Sequence, residues 1–540
     1  MTDLLIIGSG GAGLSAAIEA SDRGCRVIVA TKLYPTQAQT SMAQGGLNAA
    51  LGNVEPDAIE THIVDTLKAA RGLADEAAVR AMCEAAPDAV AWLERLGMPF
   101  SRLDGVAVEV SNADDAIASV AQRKLGGASA KRACYAQDYT GLKLLHTLYD
   151  SALAKGVQFD NERYLLDLLV RDGRVHGALF WNIREGIVEA IEAKATLLAT
   201  GGYGALYHGH TTNMYGATGD GIAAAFRAGA NVIDMEFVQF HPTGLYRSNI
   251  LVSESARGEG GVLIDENGER FVDELAPRDE VARAIFEKMQ QGSRVYLDVR
   301  ALGKEKLEAL LPQEMALARL HEKVDPVNEP IPIKPVTHYT MGGIEVDRNG
   351  KVVGLEGLFA VGECACTKVH GANRLGGNSL LEIVVFGRKA AQAAAAEPAP
   401  QAQDFTEVIA QASASIDALL HRTQGASFYP IRDELGELLY AKAGIVREGE
   451  GLESAMVRTA AMQGELARCV IGDSAKAHNQ ALVDYLETRN ALMLAPAMLS
   501  SMLAREESRG AHYRSDFPQN DDSRFLKHTR IAYRKEASDA

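Results

Sequence analysis

Leu4-Leu-Ile-Ile7-Gly8-Ser-Gly10-Gly-Ala-Gly13-Leu14-Ser-Ala-Ala-Ile18 is the stretch from which the fold can be read. Residues 4–7 form an apolar run suited to a buried parallel strand, which has no solvent face to alternate with. From Leu14 the pattern turns helical, and Arg26-Val-Ile-Val-Ala30 supplies a second strand. Strand, glycine turn, helix and strand within about 30 residues make a βαβ unit of the dinucleotide-binding kind. Its glycines serve a tight turn, a close approach of backbone to pyrophosphate, and close packing of helix on strand. The helix N-terminus then offers unpaired N–H groups and a favourable dipole to phosphate. The second strand ends in Thr31-Lys32 instead of the usual ribose-binding acid, so this unit alone leaves NAD and FAD both open.

Outside that unit, size and composition narrow the field. At 540 residues the chain is too long for one domain. A composition of 47% hydrophobic and 23% charged residues is that of an ordinary globular protein. The 55 basic and 71 acidic residues leave a net charge of −16, which argues against a nucleic-acid partner. No charge-free apolar run of about 18 residues occurs, so no membrane span is expected. Strand-like residues from Leu4 leave no room for a signal peptide, and a cytoplasmic location is expected. The six cysteines are scattered, which does not suit a disulfide framework. Cys364-Ala-Cys366 with His370 lacks a second pair at zinc-like spacing, and no metal is expected.

A series of further motifs narrows the cofactor. They are Gln39-Thr-Ser-Met-Ala-Gln44-Gly-Gly46, Ala199-Thr-Gly-Gly202, Thr218-Gly-Asp220-Gly221 and Phe240-His241-Pro-Thr-Gly244. Ser253-Glu254-Ser-Ala-Arg257-Gly-Glu-Gly-Gly261, Arg278-Asp279 and His338-Tyr-Thr-Met-Gly-Gly343 follow. Gly362-Glu363, His370-Gly-Ala-Asn-Arg374-Leu-Gly-Gly-Asn378-Ser379-Leu380 and Glu507-Ser-Arg-Gly-Ala-His512 complete the series. From about residue 4 to 518 the chain resembles the succinate dehydrogenase and fumarate reductase flavoproteins, a family that includes L-aspartate oxidase. The resemblance implies an α/β fold, with a Rossmann-like FAD-binding domain, an inserted α+β capping domain and a C-terminal helical domain. The expected boundaries are 1–235 and 339–395 for FAD binding, 236–338 for the cap, 404–512 for the helices and 513–540 for a tail. The Ala/Pro/Gln-rich run from Ala390 to Gln403 reads as a linker.

A four-carbon dicarboxylate needs donors at both ends, and arginine supplies them best by bidentate pairing. The resemblance implies that His241, Ser253, His338 and Arg374 hold the carboxylates of fumarate or succinate. It implies Arg278 as proton donor, fed by Glu254 and Arg257, whose i, i+3 spacing puts them on one face of a helical turn. For FAD it nominates Gly8, Gly10, Gly13, Thr31, Lys32, Gln44, Gly45, Gly46, Leu165, Asp220, Glu363, Ser379 and Leu380. Gln39 stands where membrane-bound members carry a flavin-linking His, so FAD is expected without a covalent bond. Ser253 replaces the usual Thr and keeps the hydroxyl. Leu125 stands where succinate-converting members place Phe and L-aspartate oxidases place Glu. Fumarate reduction is the expected favoured direction; the alternatives are L-aspartate oxidation and a non-catalytic flavin electron-transfer role. The chain has no iron–sulfur or haem motif. An iron–sulfur subunit and a membrane anchor or soluble donor are therefore the implied partners, with peripheral attachment to the cytoplasmic face of the inner membrane through them.

Overall fold

The computed structural model describes residues 1–103 and 117–533. The opening run is a strand, Thr2–Ile7, in which Leu4, Leu5 and Ile6 are fully buried. It pairs in parallel with Val27–Thr31 on one side and with the end of Ile187–Leu198 on the other, Ile6 lying opposite Val29 and Leu197. Gln158–Asn161 and Leu358–Ala360 extend the two flanks, also in parallel. A strand flanked in this way has both faces covered, which is why residues 4–7 are apolar without alternation. Ile187–Leu198 has a second duty: its first half closes an antiparallel meander with Arg163–Arg171 and Arg174–Asn182.

The helix Gly11–Asp22 leaves the first strand through Gly8, at φ +108°. A Cβ on Gly8 would lie 2.2 Å from the Ala199 carbonyl oxygen, and one on Gly13 would lie 2.1 Å from that of Gly8. Only glycine allows both approaches. This helix packs on Asn378–Ala395, where a Cβ on Gly387 would come within 2.6 Å of the Ala12 carbonyl. The Ala-rich run expected to be a linker is helix as far as Ala395, with Ala390, Ala391 and Ala394 buried. Alanine favours the helix and Pro398 lies just beyond its end, so the connector is only 396–405.

Between the two halves of the parallel layer lies a separate antiparallel sheet. Its strand order is Val238–Leu245, Ile331–Thr340, Val295–Asp298 and Val262–Asp265. The helix Arg278–Gln290 packs on it over an apolar core of its own, with Val281, Ile285, Leu297 and Ile333. This is the inserted α+β unit. The C-terminal helices Thr406–Leu420, Tyr429–Lys442, Gly449–Leu466 and Gln480–Ala504 behave differently. Their Leu435, Leu452, Leu486 and Met498 share one core with Phe180 and Trp181 of the meander. Beyond Tyr513 the chain forms a short helix, Asp522–Phe525, and a strand, Arg530–Ile531, paired with Val232–Ile233. Residues 534–540 of the expected tail lie outside the described residues. No helix among the described residues is long and apolar enough to cross a membrane.

Candidate active site

A cleft of about 230 Å³ runs from the glycine turn to the inserted sheet. Of the residues expected at the cofactor, Gly8, Gly10, Thr31, Lys32, Leu165, Asp220, Glu363, Ser379 and Leu380 line it. Gly13 lies one turn behind, packed on Gly8. Gln44, Gly45 and Gly46 are set back from the cleft as well: a Cβ on Gly46 would meet the Cys134 carbonyl at 2.8 Å, and one on Gly45 would meet Leu125 at 3.5 Å. A Cβ on Gly10 would find only Thr40 Oγ1 at 3.4 Å and Ala38 Cβ at 3.9 Å, so the helix N-terminus is open to the cleft. The carbonyl oxygen of the Gln44 side chain is buried without a partner. An open glycine cradle and a helix N-terminus fit a dinucleotide flavin.

Lys32, Asp220 and Glu363, all expected at the cofactor, are engaged by protein partners. Lys32 donates to Asp220 at 2.8 Å, Glu487 at 2.5 Å and the Gly216 carbonyl at 2.7 Å. Burial opposes the Lys32 charge, and the two carboxylates more than offset it. Asp220 also accepts from Tyr164, Thr218 and Asn490 at 3.1, 3.1 and 2.9 Å. Glu487 and Asn490 come from the helix Gln480–Ala504, a contribution that nothing at residue 32 or 220 announces. Glu363 Oε1 accepts from Thr340 N and Oγ1 at 2.9 and 3.1 Å, and burial pushes its carboxyl up to about 7. Gln39 Oε1 accepts from Met214 N at 2.9 Å.

The expected substrate and proton-relay residues draw on both layers, and all are buried except His338, which is half-buried. His241 and His338 lie on adjacent strands of the inserted sheet, with ring centroids 4.9 Å apart. Ser253 caps the short helix Glu254–Gly258, its Oγ accepting from Ser255 N at 3.2 Å and Ser255 Oγ at 2.7 Å. Arg278 opens the helix Arg278–Gln290, and Arg374 precedes Asn378–Ala395. Glu254 Oε2 accepts from Arg278 Nε and Nη2 at 3.0 and 2.5 Å, while its Oε1 lies 3.6 Å from Arg257 Nη2. Glu254 and Arg257 share one face of a helical turn, as the spacing predicts, and both are buried.

Gln239 joins the two arginines. Its Oε1 accepts from Arg278 Nη1 and from Arg374 Nη2, each at 3.2 Å, and its Nε2 donates to Asn373 Oδ1 and the Arg374 carbonyl, each at 2.9 Å. The sequence offered a signal for it, because residues 239 and 241 fall on the same face of a strand. Thr212 and Glu314 were missed for want of any signal. Thr212 Oγ1 lies 2.9 Å from His338 Nδ1, and Glu314 Oε1 accepts from Ser253 N at 2.9 Å.

Burial and the Arg278 charge hold both His241 and His338 well below the ordinary imidazole range. His241 Nδ1 accepts from Thr243 N at 3.2 Å, which leaves its proton on Nε2. Both rings are therefore neutral hydrogen-bonding groups, and the cations of the cluster are Arg278, Arg374 and Arg257. Burial and Arg278 bring Arg374 down to about 10, still charged at neutral pH. Burial would raise Glu254, but Arg278 and Arg257 outweigh it and hold the carboxylate ionised.

Residues 3–380 match the FAD binding domain family model, and residues 432–540 match that of the fumarate reductase flavoprotein C-terminus. The succinate dehydrogenase flavoprotein subunit of Rickettsia bellii is 38% identical, over 98% of this chain and 92% of its own. The fumarate reductase flavoprotein subunit of Escherichia coli is 39% identical, over 98% and 91%. The chain belongs to the succinate dehydrogenase and fumarate reductase flavoprotein family. A solved E. coli quinol fumarate reductase FrdA variant superposes with a TM-score of 0.92 at 37% identity, covering 99% of this chain and 95% of that one. Membership makes the chain an FAD-dependent oxidoreductase of this family.

Against that background, Leu125 stands out: it is buried against the Gly45 loop and carries no acceptor. Cys364 and Cys366 turn their thiols to the Leu198 carbonyl and to Asp234, and His370 pairs with Glu382 at 2.9 Å. Among the described residues no group of three or more His, Cys, Asp and Glu could hold a metal.

Proposed function

We propose that this chain interconverts fumarate and succinate in the cleft between the parallel layer and the inserted sheet. The observation that carries the reading is the pair of buried guanidiniums, Arg278 and Arg374, held by one Gln239 oxygen beside two neutral histidines. A dicarboxylate has a negative charge at each end, and two desolvated arginines give it strong, directional partners. Arg374, the Nε2–H of His241, His338 and the Ser253 hydroxyl hold the carboxylates. FAD, when bound, supplies the acceptor or donor of the hydride exchanged at one central carbon. Gly8, Gly10 and the helix behind them hold its pyrophosphate, while Glu363, Ser379 and Leu380 border the rest. Arg278 gives a proton to the neighbouring carbon; the ionised Glu254 carboxylate then takes up a proton relayed from solvent by way of Arg257 and passes it back to Arg278. Arginine is a poor free acid, with a pKa above about 12, so the transfer depends on this contact with Glu254.

Leu125 supports a substrate without an amino group, since an ammonium would find no acceptor there. Residues 236–338 act as a mobile cap over the flavin layer of 1–235 and 339–395, with 404–512 as a helical domain and 513–540 as its tail. FAD is held without a covalent bond, because the Gln39 carboxamide cannot form one. Electrons arrive through an iron–sulfur partner and a membrane anchor or soluble donor. The chain sits at the cytoplasmic face of the inner membrane through these partners.

Turnover of fumarate, succinate and L-aspartate by the flavin-loaded chain tests the reading. Activity is expected with the first two and not with aspartate. Arg278→Lys should lose at least about a hundred-fold in kcat with FAD still bound, and Glu254→Gln should slow kcat more than it raises KM. Near-normal kcat in Arg278→Lys would remove Arg278 from the chemistry.

A further inference from the structure

The helix that carries Arg278 is tied to the parallel layer by side chains the reaction does not use. Asp279 and Glu280 follow Arg278 in its first turn. Both meet the guanidinium of Arg71, whose Nη2 lies 3.1 Å from Asp279 Oδ2 and 2.6 Å from Glu280 Oε1. The Asp279 side chain is 4% exposed, so its pair with Arg71 is shielded from solvent, whereas Glu280 is exposed and adds a surface contact. One turn further, the Arg283 guanidinium lies 4.6 Å from the centre of the Tyr513 ring.

Arg71 reaches Asp279 from an unfavourable backbone. It follows the helix Ile59–Ala69 at φ +55°, a left-handed conformation uncommon for a long side chain. Such a conformation persists where its surroundings over-determine it. Here Arg509 Nη1 donates to the Arg71 carbonyl at 2.8 Å, and Arg509 is itself held by Glu507 at 2.7 and 2.9 Å. Gly510 lets this segment approach Ala372, whose carbonyl a Cβ would meet at 2.4 Å. Ala511 N then donates to the Ala372 carbonyl, and Ala372 N donates to that of Ala70. The Glu507–His512 motif thus clamps the loop of Arg71 and the loop of Arg374 to each other.

We propose that Arg71 is a positioning residue for Arg278: its ion pairs with Asp279 and Glu280 fix the first turn of Arg278–Gln290 relative to Arg374. The proposal rests on the reading of Arg278 as the proton donor. Arg71 does not line the flavin cleft. Its effect reaches the reaction only through the placement of that turn.

Fumarate reduction by the flavin-loaded full-length chain, with a reduced viologen as donor, tests this in Arg71→Met, Arg71→Lys and Asp279→Asn. A misplacement of about 1 Å costs up to about 100-fold in rate. In Arg71→Met and Asp279→Asn kcat is expected to fall at least about ten-fold, with KM within about three-fold of the original. Arg71→Lys restores the charge and should recover part of the loss. The Arg71→Met/Asp279→Asn double variant should be no slower than the worse single one, because both remove one interaction. Unchanged kcat, a loss carried by KM, or a loss equal to the fraction of unfolded chain overturns the proposal. If Arg71→Met does not fold, the near-isosteric Asp279→Asn decides by the same criteria. Arg278→Lys, run alongside, separates the two readings. Normal turnover there removes the role of Arg278, whereas an inactive Arg278→Lys beside a normal Arg71→Met removes only the positioning role of Arg71.

Discussion

Gln39 illustrates how much one side chain decides. Its carbonyl oxygen accepts from Met214 N, so the residue is engaged at the cleft wall as a hydrogen-bonding group. A carboxamide has no nucleophilic nitrogen to bond the flavin, whereas an imidazole does. Acid precipitation of the flavin-loaded chain is therefore expected to leave a yellow supernatant and a colourless pellet. Flavin retained in the washed pellet would mean that another residue makes the bond. At this scale the candidate site was largely legible. The glycines, histidines and arginines stand inside short motifs whose order along the chain carried the resemblance. The residues that were not legible act at a distance in sequence. Glu314 touches the site only through Ser253 N, and Glu487 reaches Lys32 from a helix near the other end of the chain.

Among the elements, the short helix Pro312–Leu317 carries a carboxyl whose titration bears on stability. Asp138 of the parallel layer accepts from Gln313 N and Glu314 N at 2.7 and 3.2 Å, which satisfies two of the helix's free N–H groups. Burial pushes the Glu314 carboxyl up to about 8, with the neighbouring Asp138 charge adding to the effect. A carboxyl raised on folding favours the folded state while it stays protonated. That contribution is complete below the unfolded value of about 4.5 and is lost as pH rises through about 8. Glu314→Gln keeps an acceptor for Ser253 N and cannot ionise. It is expected to be more stable than the parent by about 1–3 kcal/mol at pH 8, with a much smaller gain at pH 5. Thermal melts at the two pH values measure this, and equal gains at both would show that Glu314 does not titrate. Element type was easier to read than element extent. The βαβ unit and the long C-terminal helices follow from local periodicity, but the Ala-rich stretch was misread because Ala, Pro and Gln also compose linkers. Only its packing under Gly11–Asp22 distinguishes the two.

For the whole molecule, the proposed absence of a covalent flavin link bears on direction. On that proposal the flavin potential is lower than in a His-linked flavin, which weakens it as an oxidant of succinate and leaves hydride delivery to fumarate unhindered. Fumarate reduction is expected to outpace succinate oxidation when both are measured at one pH with artificial donors and acceptors. Succinate oxidation as the faster direction, with a flavin potential near that of the fumarate couple, would reverse the assignment while leaving the substrate in place. The three-part architecture was legible through the resemblance. Local pattern could not reveal that the C-terminal helices share a core with the meander Arg163–Leu198, because shared burial is a property of the assembled molecule.

Synthesis exposes a further consequence of the strand Ile187–Leu198, which serves two sheets. The strand Thr2–Ile7 is synthesised nearly two hundred residues before its partner at 193–198. At about 5–20 residues per second that is a wait of roughly 10–40 s. Throughout that interval the apolar residues 4–7 lie in a strand with one open edge, the kind of edge that recruits other chains. Co-expression with a chaperone is therefore expected to raise the yield of folded chain while leaving its melting temperature unchanged.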